Sequence, residues 1–157
     1  MNRSQANSVF SSNVVPIPTA SARLMVCEPN HDWRYAVINR LEQLVQLDRG
    51  WDGYNGQPVS FENAAFALRM LEAVCSPDAD PPQLVPGSSG DLQIEWHTFK
   101  GDIELHVLAP NRVHAWRQLV GGDEDGDSLD LTIDFGSVAI WVRETTEPNL
   151  AAAPAAA

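Results

Sequence analysis

Two chemically active residue types alternate through one short stretch of this chain, at Glu95, His97, Glu104 and His106. Imidazole and carboxylate are the side chains that exchange protons or hold divalent cations near neutral pH. A hairpin over residues 91–99 and 102–108, turning at Lys100 and Gly101, places His97 opposite Glu104 and Glu95 opposite His106. Arg117, on the strand that follows, then faces Glu104. This checkerboard is the candidate metal or acid–base site, and a small metal-dependent enzyme is the catalytic alternative for the chain. The competing role of such pairs is to stabilise the wet face of an antiparallel sheet. No HExxH or other zinc-ligand spacing accompanies the four residues.

A second group lies in the acidic run GGDEDGDSLD at residues 121–130. Asp123, Asp125 and Asp127 alternate as the first ligands of a calcium loop do, with Asp134 at the twelfth place. Ser128 stands where the turning glycine belongs, and Asp134 is too short for the bidentate glutamate. The loop is therefore read as solvated, with Asp123, Glu124, Asp125 and Asp127 open to a basic protein partner. A third group is the aromatic loop at residues 50–58. Trp51 is read there as a plug between two helices, and Tyr54, open between packing and exposure, is the candidate partner-binding aromatic. Cys27 and Cys75 have no CxxC spacing and are read as small buried hydrophobes. There is no GxGxxG, P-loop, GxSxG or zinc-finger pattern, and no cofactor is implied.

Charge narrows the partners. The formal net charge is −11 and Lys100 is the only lysine. Gripping nucleic acid by its phosphates needs a basic stripe, and so does binding an anionic membrane, so both are excluded as direct partners. No apolar run is long enough to cross a bilayer. Asn13, Pro16 and Pro18 interrupt the N-terminal stretch where a signal peptide needs continuous apolar residues, so a cytoplasmic location is expected.

These groups have to be positioned by a single domain, the ordinary meaning of a 157-residue chain with 44% hydrophobic residues. Residues 1–22 read as a flexible arm with a short strand at 14–17, residues 23–146 as the domain, and residues 147–157 as a disordered Ala/Pro tail. A first helix is expected over 32–47, capped by Asn30 or Asp32, with Val37, Ile38, Leu41, Leu44 and Val45 as its apolar stripe. A second starts at the N-cap Ser60, buries Phe61, Ala64, Ala65, Leu68, Leu71 and Cys75, and ends by Pro77.

The period then changes from helical to alternating. The expected hairpin pairs Thr98 with Ile103, Trp96 with Leu105 and Ile94 with Val107, all on one face. A strand over 113–120 sets Trp116 opposite Leu105, and residues 83–86 form an edge strand. Residues 129–135 and 138–142 are read as a last hairpin. A helix over 137–144 competes, because Val138, Trp141 and Val142 also fit helical spacing. The expected fold is α+β, with two N-terminal helices packed on one face of an antiparallel meander of five or six strands.

Two stretches together, GWDGYNGQPVS at 50–60 and LVPGSSGDLQIEWH at 84–97, resemble a family of small, acidic bacterial proteins. The resemblance covers residues 41–113. It implies helix, Trp-Asp-Gly loop, helix and hairpin in that order, and a bacterial origin; it carries over no catalytic residue. The functional expectation is a non-catalytic protein-binding module: an antitoxin-like, immunity-like or regulatory subunit of a bacterial operon, whose partner is another protein.

Overall fold

A computed structural model describes residues 31–147. The expected N-terminal arm with its strand, Cys27, the Asn30 cap and the tail beyond residue 147 lie outside the described residues. In chain order the elements are α1 (Arg34–Val45), α2 (Phe61–Val74), β1 (Gln83–Pro86), β2 (Leu92–Thr98), β3 (Gly101–Ala109), β4 (Arg112–Leu119), β5 (Asp127–Leu131) and α3 (Gly136–Thr146). The fold is α+β, and the five strands form one antiparallel sheet in the order β1-β2-β3-β4-β5.

The helix starts follow different rules. Ser60 caps α2 as expected, its hydroxyl accepting from the Asn63 N–H at 3.1 Å, with Glu62 in the first turn favoured by the helix dipole. No side chain caps α1, so Asp32 does not serve. Tertiary anchors hold that end instead. Trp33 is fully buried and its indole N–H donates to the Ser76 carbonyl at 3.0 Å, while the Asp32 N–H donates to Pro77. At the other end the Val59 N–H donates to the Leu44 carbonyl. The two helices are thereby fastened antiparallel at both ends.

The β2–β3 register differs from expectation. Thr98 pairs with Gly101, Trp96 with Ile103, Ile94 with Leu105 and Leu92 with Val107. The turn falls on Phe99 and Lys100, because the Thr98 hydroxyl accepts from the Lys100 N–H and donates to the Gly101 carbonyl. The slip along β3 is two residues, an even number, so every side chain keeps its expected face.

The β3–β4 register differs by an odd number, and faces change. Ala109 pairs with Arg112, but Val107 pairs with Val113, leaving a bulge at Leu108. Beyond it Leu105 faces Ala115, Glu104 faces Trp116 and Ile103 faces Arg117. Trp116 therefore joins the polar row, and Arg117 joins the apolar row, the reverse of the expectation.

The expected last hairpin is a helix. Asp134 accepts from the Gly136 N–H at 2.9 Å and opens α3. Val138, Trp141, Val142 and Thr145 are buried at steps of three and four. A hairpin would have buried Ile133 and Ile140, which are 79% and 51% exposed. Arg117 fixes the helix: its guanidinium lies 4.6 Å from the Trp141 ring centre and donates to Asp127 at 2.8 Å and Glu144 at 2.9 Å. The apolar row of β2, β3 and β4 shares one core with Trp33, Leu41, Leu44, Phe66, Leu71, Val138 and Trp141.

Candidate functional site

The strands alternate, so the residues between the core positions form a polar row: Gln93, Glu95 and His97 on β2, Asp102, Glu104 and His106 on β3, His114, Trp116 and Gln118 on β4. The expected His/Glu checkerboard is regrouped there. His97 faces Asp102, Glu95 faces Glu104 and Gln93 faces His106. His97 Nδ1 lies 3.0 Å from Asp102 and its Nε2 3.2 Å from Glu95. His106 Nε2 bonds to Asp91, and His114 Nδ1 to Asp130 at 2.9 Å. Each imidazole thus has its own carboxylate, and among the described residues no three His, Cys, Asp or Glu side chains are grouped to hold a metal ion. Burial alone would raise the Asp91 carboxyl. The hydrogen bond from His106, the backbone N–H groups of Asp91 and Ser89 and the His106 charge together outweigh it, and the carboxyl sits below its ordinary value.

His97 is raised above its ordinary value, first by the Asp102 hydrogen bond and then by Glu95, against a small opposing effect of burial. A raised folded-state value means that its stabilising contribution is complete below the unfolded value of about 6.5 and is lost as pH climbs through the folded value. NMR titration should place the His97 midpoint above about 6.5, and Asp102→Asn should lower it. A midpoint below that figure in the unaltered chain would exclude the pairing.

The α1–α2 hairpin carries a feature that sequence reasoning missed. An apolar cleft of about 370 Å³ opens between the helices, lined by Ile38, Leu41 and Val45 on α1 and by Phe61, Ala64, Ala65 and Leu68 on α2. Glu42 and Gln46 border it. The Arg34–Glu72 ion pair at 2.8 Å lies one turn past Ile38 and Leu68 and bridges the helices there. Phe61, expected in the core, is 71% exposed. The residues that α2 does turn inward are Asn63, Phe66, Ala67, Met70, Leu71 and Val74, with Ala64 shared between core and cleft. The available signal was width: α2 carries two apolar stripes where one core face needs one.

The loop after α1 is organised by Asp52, whose carboxylate accepts from the Tyr54 and Gly56 N–H groups at 2.9 Å each; these bonds hold it below its ordinary value. Tyr54 projects, 86% exposed. Trp51 is not a plug between the helices. It is half-buried at the surface, and its indole N–H donates to Gln57 in its own loop. Val59 is the residue buried where α1 passes to α2, and Trp33 is buried at the opposite end of the helix pair. The same loop is stitched to the turn at 87–91: the Gln57 N–H donates to Ser88, and the Ser60 N–H and Asn63 side chain both donate to Gly90, each at 2.9 Å. The two motif stretches are therefore one composite surface.

Asp123, Glu124 and Asp125 are exposed, on a loop pinned by its backbone. The Trp116 indole donates to the Asp125 carbonyl at 3.3 Å and the Gln118 amide to the Glu124 carbonyl at 3.2 Å. Asp127 is engaged by Arg117 and starts β5, and Asp134 holds the start of α3, so the calcium-like spacing does not close into a ring of ligands. Burial pushes the Cys75 thiol up to about 12, which disfavours the reactive thiolate.

Among the described residues no helix is long and apolar enough to cross a membrane. Comparison with models of known protein families, with curated proteins and with solved structures finds no match.

Proposed function

We propose that this protein is a non-catalytic protein-binding module, of the kind that serves as an antitoxin-like, immunity-like or regulatory subunit of a bacterial operon. The observation that supports it best is the α1–α2 cleft with Phe61 exposed at its mouth, next in sequence to the loop that presents Tyr54. Apolar clefts flanked by projecting aromatics are where partner side chains are desolvated and most binding energy is concentrated. In this reading helices cover one face of the sheet and offer their outer side to the partner. Asp123, Glu124, Asp125 and Asp127 attract a basic partner and speed encounter. The stitching of the aromatic loop to the turn at 87–91 makes one continuous surface beside the cleft, which supports the reading. The catalytic alternative needs Glu95, His97, Glu104 and His106 to act together, and their separate pairing does not favour it.

Kinetics of the complex recovered from the native host test the proposal. Leu68→Glu should abolish binding, because it buries an unpaired carboxylate in an apolar contact. Tyr54→Ala should raise the dissociation rate, whereas exchanging the four loop acids for Asn and Gln should slow association in a salt-dependent way. Unchanged kinetics in all three variants would remove both loops and the cleft as the interface. Recovery of no partner would overturn the reading.

A further inference from the structure

His106 and His114 are direct cross-strand partners on the polar row, at the centre of the sheet. Residues so placed hold their Cβ atoms about 4.5–5.5 Å apart, close enough for two rings to reach a single ion. We infer that His106 and His114 form a two-imidazole chelate for a borderline divalent transition cation such as Zn²⁺ or Cu²⁺, with Asp91 and Asp130 orienting the rings.

The occupied ring nitrogens single out these two histidines. Asp91 engages Nε2 of His106, and Asp130 engages Nδ1 of His114 at 2.9 Å. A carboxylate on one ring nitrogen places the proton there and leaves the lone pair on the other, the arrangement usual around metal-ligating histidines. Nδ1 of His106 and Nε2 of His114 make no hydrogen bond within the described residues. Both side chains are reachable, at 32% and 48% exposure. His97 is the internal contrast: carboxylates engage both of its nitrogens, so an ion gains no lone pair there without breaking a pair.

Several other features bear on strength and selectivity. Imidazole nitrogen suits zinc and copper rather than magnesium or calcium, and copper should bind more tightly. The net charge of −11 concentrates cations at the surface. The protein supplies two ligands and water completes the shell, so binding is reversible and modest. The site exists because of the Leu108 bulge, which sets His114 rather than Ala115 opposite His106.

The test uses the full chain without a histidine tag. Zn²⁺ and then Cu²⁺ are titrated at pH 7.5 by calorimetry, with imidazole NMR on the zinc samples. Ring signals of His106 and His114 should move together at one ion per chain, while those of His97 stay. His106→Gln and His114→Gln should each weaken binding at least about tenfold, and Asp130→Asn by about tenfold, with His97→Gln unchanged. Acidification should weaken binding, because protons compete with the ion for the ligating nitrogens. Thermal melts confirm that the exposed-site variants fold. Zinc that moves His97 instead, affinity unaltered in His114→Gln, or half an ion per chain with dimer formation would each overturn the chelate, as would no binding at millimolar metal.

Discussion

Trp96→Ala should cost about 3–5 kcal/mol of folding stability, while Trp116→Ala should cost about 1 kcal/mol. The two tryptophans lie on β2 and β4, strands of similar alternating character on either side of β3, yet the Leu108 bulge puts them on opposite faces of the sheet. Trp96 is buried opposite Ile103, and its indole N–H donates to the Asp80 carbonyl at 3.2 Å. Truncation removes a large apolar surface from water-free packing and leaves both a cavity and an unpaired carbonyl. Trp116 is half-exposed on the polar row, where it only covers the acidic loop. Denaturant unfolding of both variants measures the difference. Equal losses would mean that both rings face the core, as an unbulged register requires, and the β3–β4 pairing described above would be wrong.

Gly101→Val should cost about 2–4 kcal/mol, far more than a surface turn residue ordinarily does. Gly101 has φ of 149° and pairs with both Thr98 and Leu119. A Cβ there would lie 2.2 Å from the Gln118 carbonyl oxygen and 2.8 Å from the Leu119 Cα. Both are backbone atoms of β4, so the clash cannot be relieved by a rotamer change and must open the β3–β4 ladder. Gly53→Ala is the matched control. Its φ is 82°, but a Cβ would meet nothing within 4 Å, so it bears only the left-handed backbone cost of about 1–2 kcal/mol. Thermal or denaturant unfolding separates the two. A Gly101 variant no worse than the Gly53 variant would show that the strands do not cross so closely.

Local pattern determined a large part of this protein. Periodicity of about 3.6 marked α1 and α2, Ser60 marked the start of α2, and alternation marked β2, β3 and β4; all of these depend on neighbours within a few residues. Charge likewise set the exposed acidic loop, whereas nothing in the sequence decided the exposure of Tyr54. What tertiary structure decided was each quantity on which local pattern is neutral. A two-residue slip between β2 and β3 leaves every face unchanged, so alternation cannot distinguish the registers, yet it exchanged Glu104 for Asp102 as the residue opposite His97. One extra residue at Leu108 reversed Trp116 and Arg117, because a bulge is a property of the strand pair. Residues 136–146 fit both periods, and the choice fell to Trp141 beneath the Arg117 guanidinium and Val138 against the core, contacts that span the chain. The α1–α2 cleft follows from the same cause: a stripe of apolar residues states that a face wants cover, and only packing decides whether the chain itself supplies it.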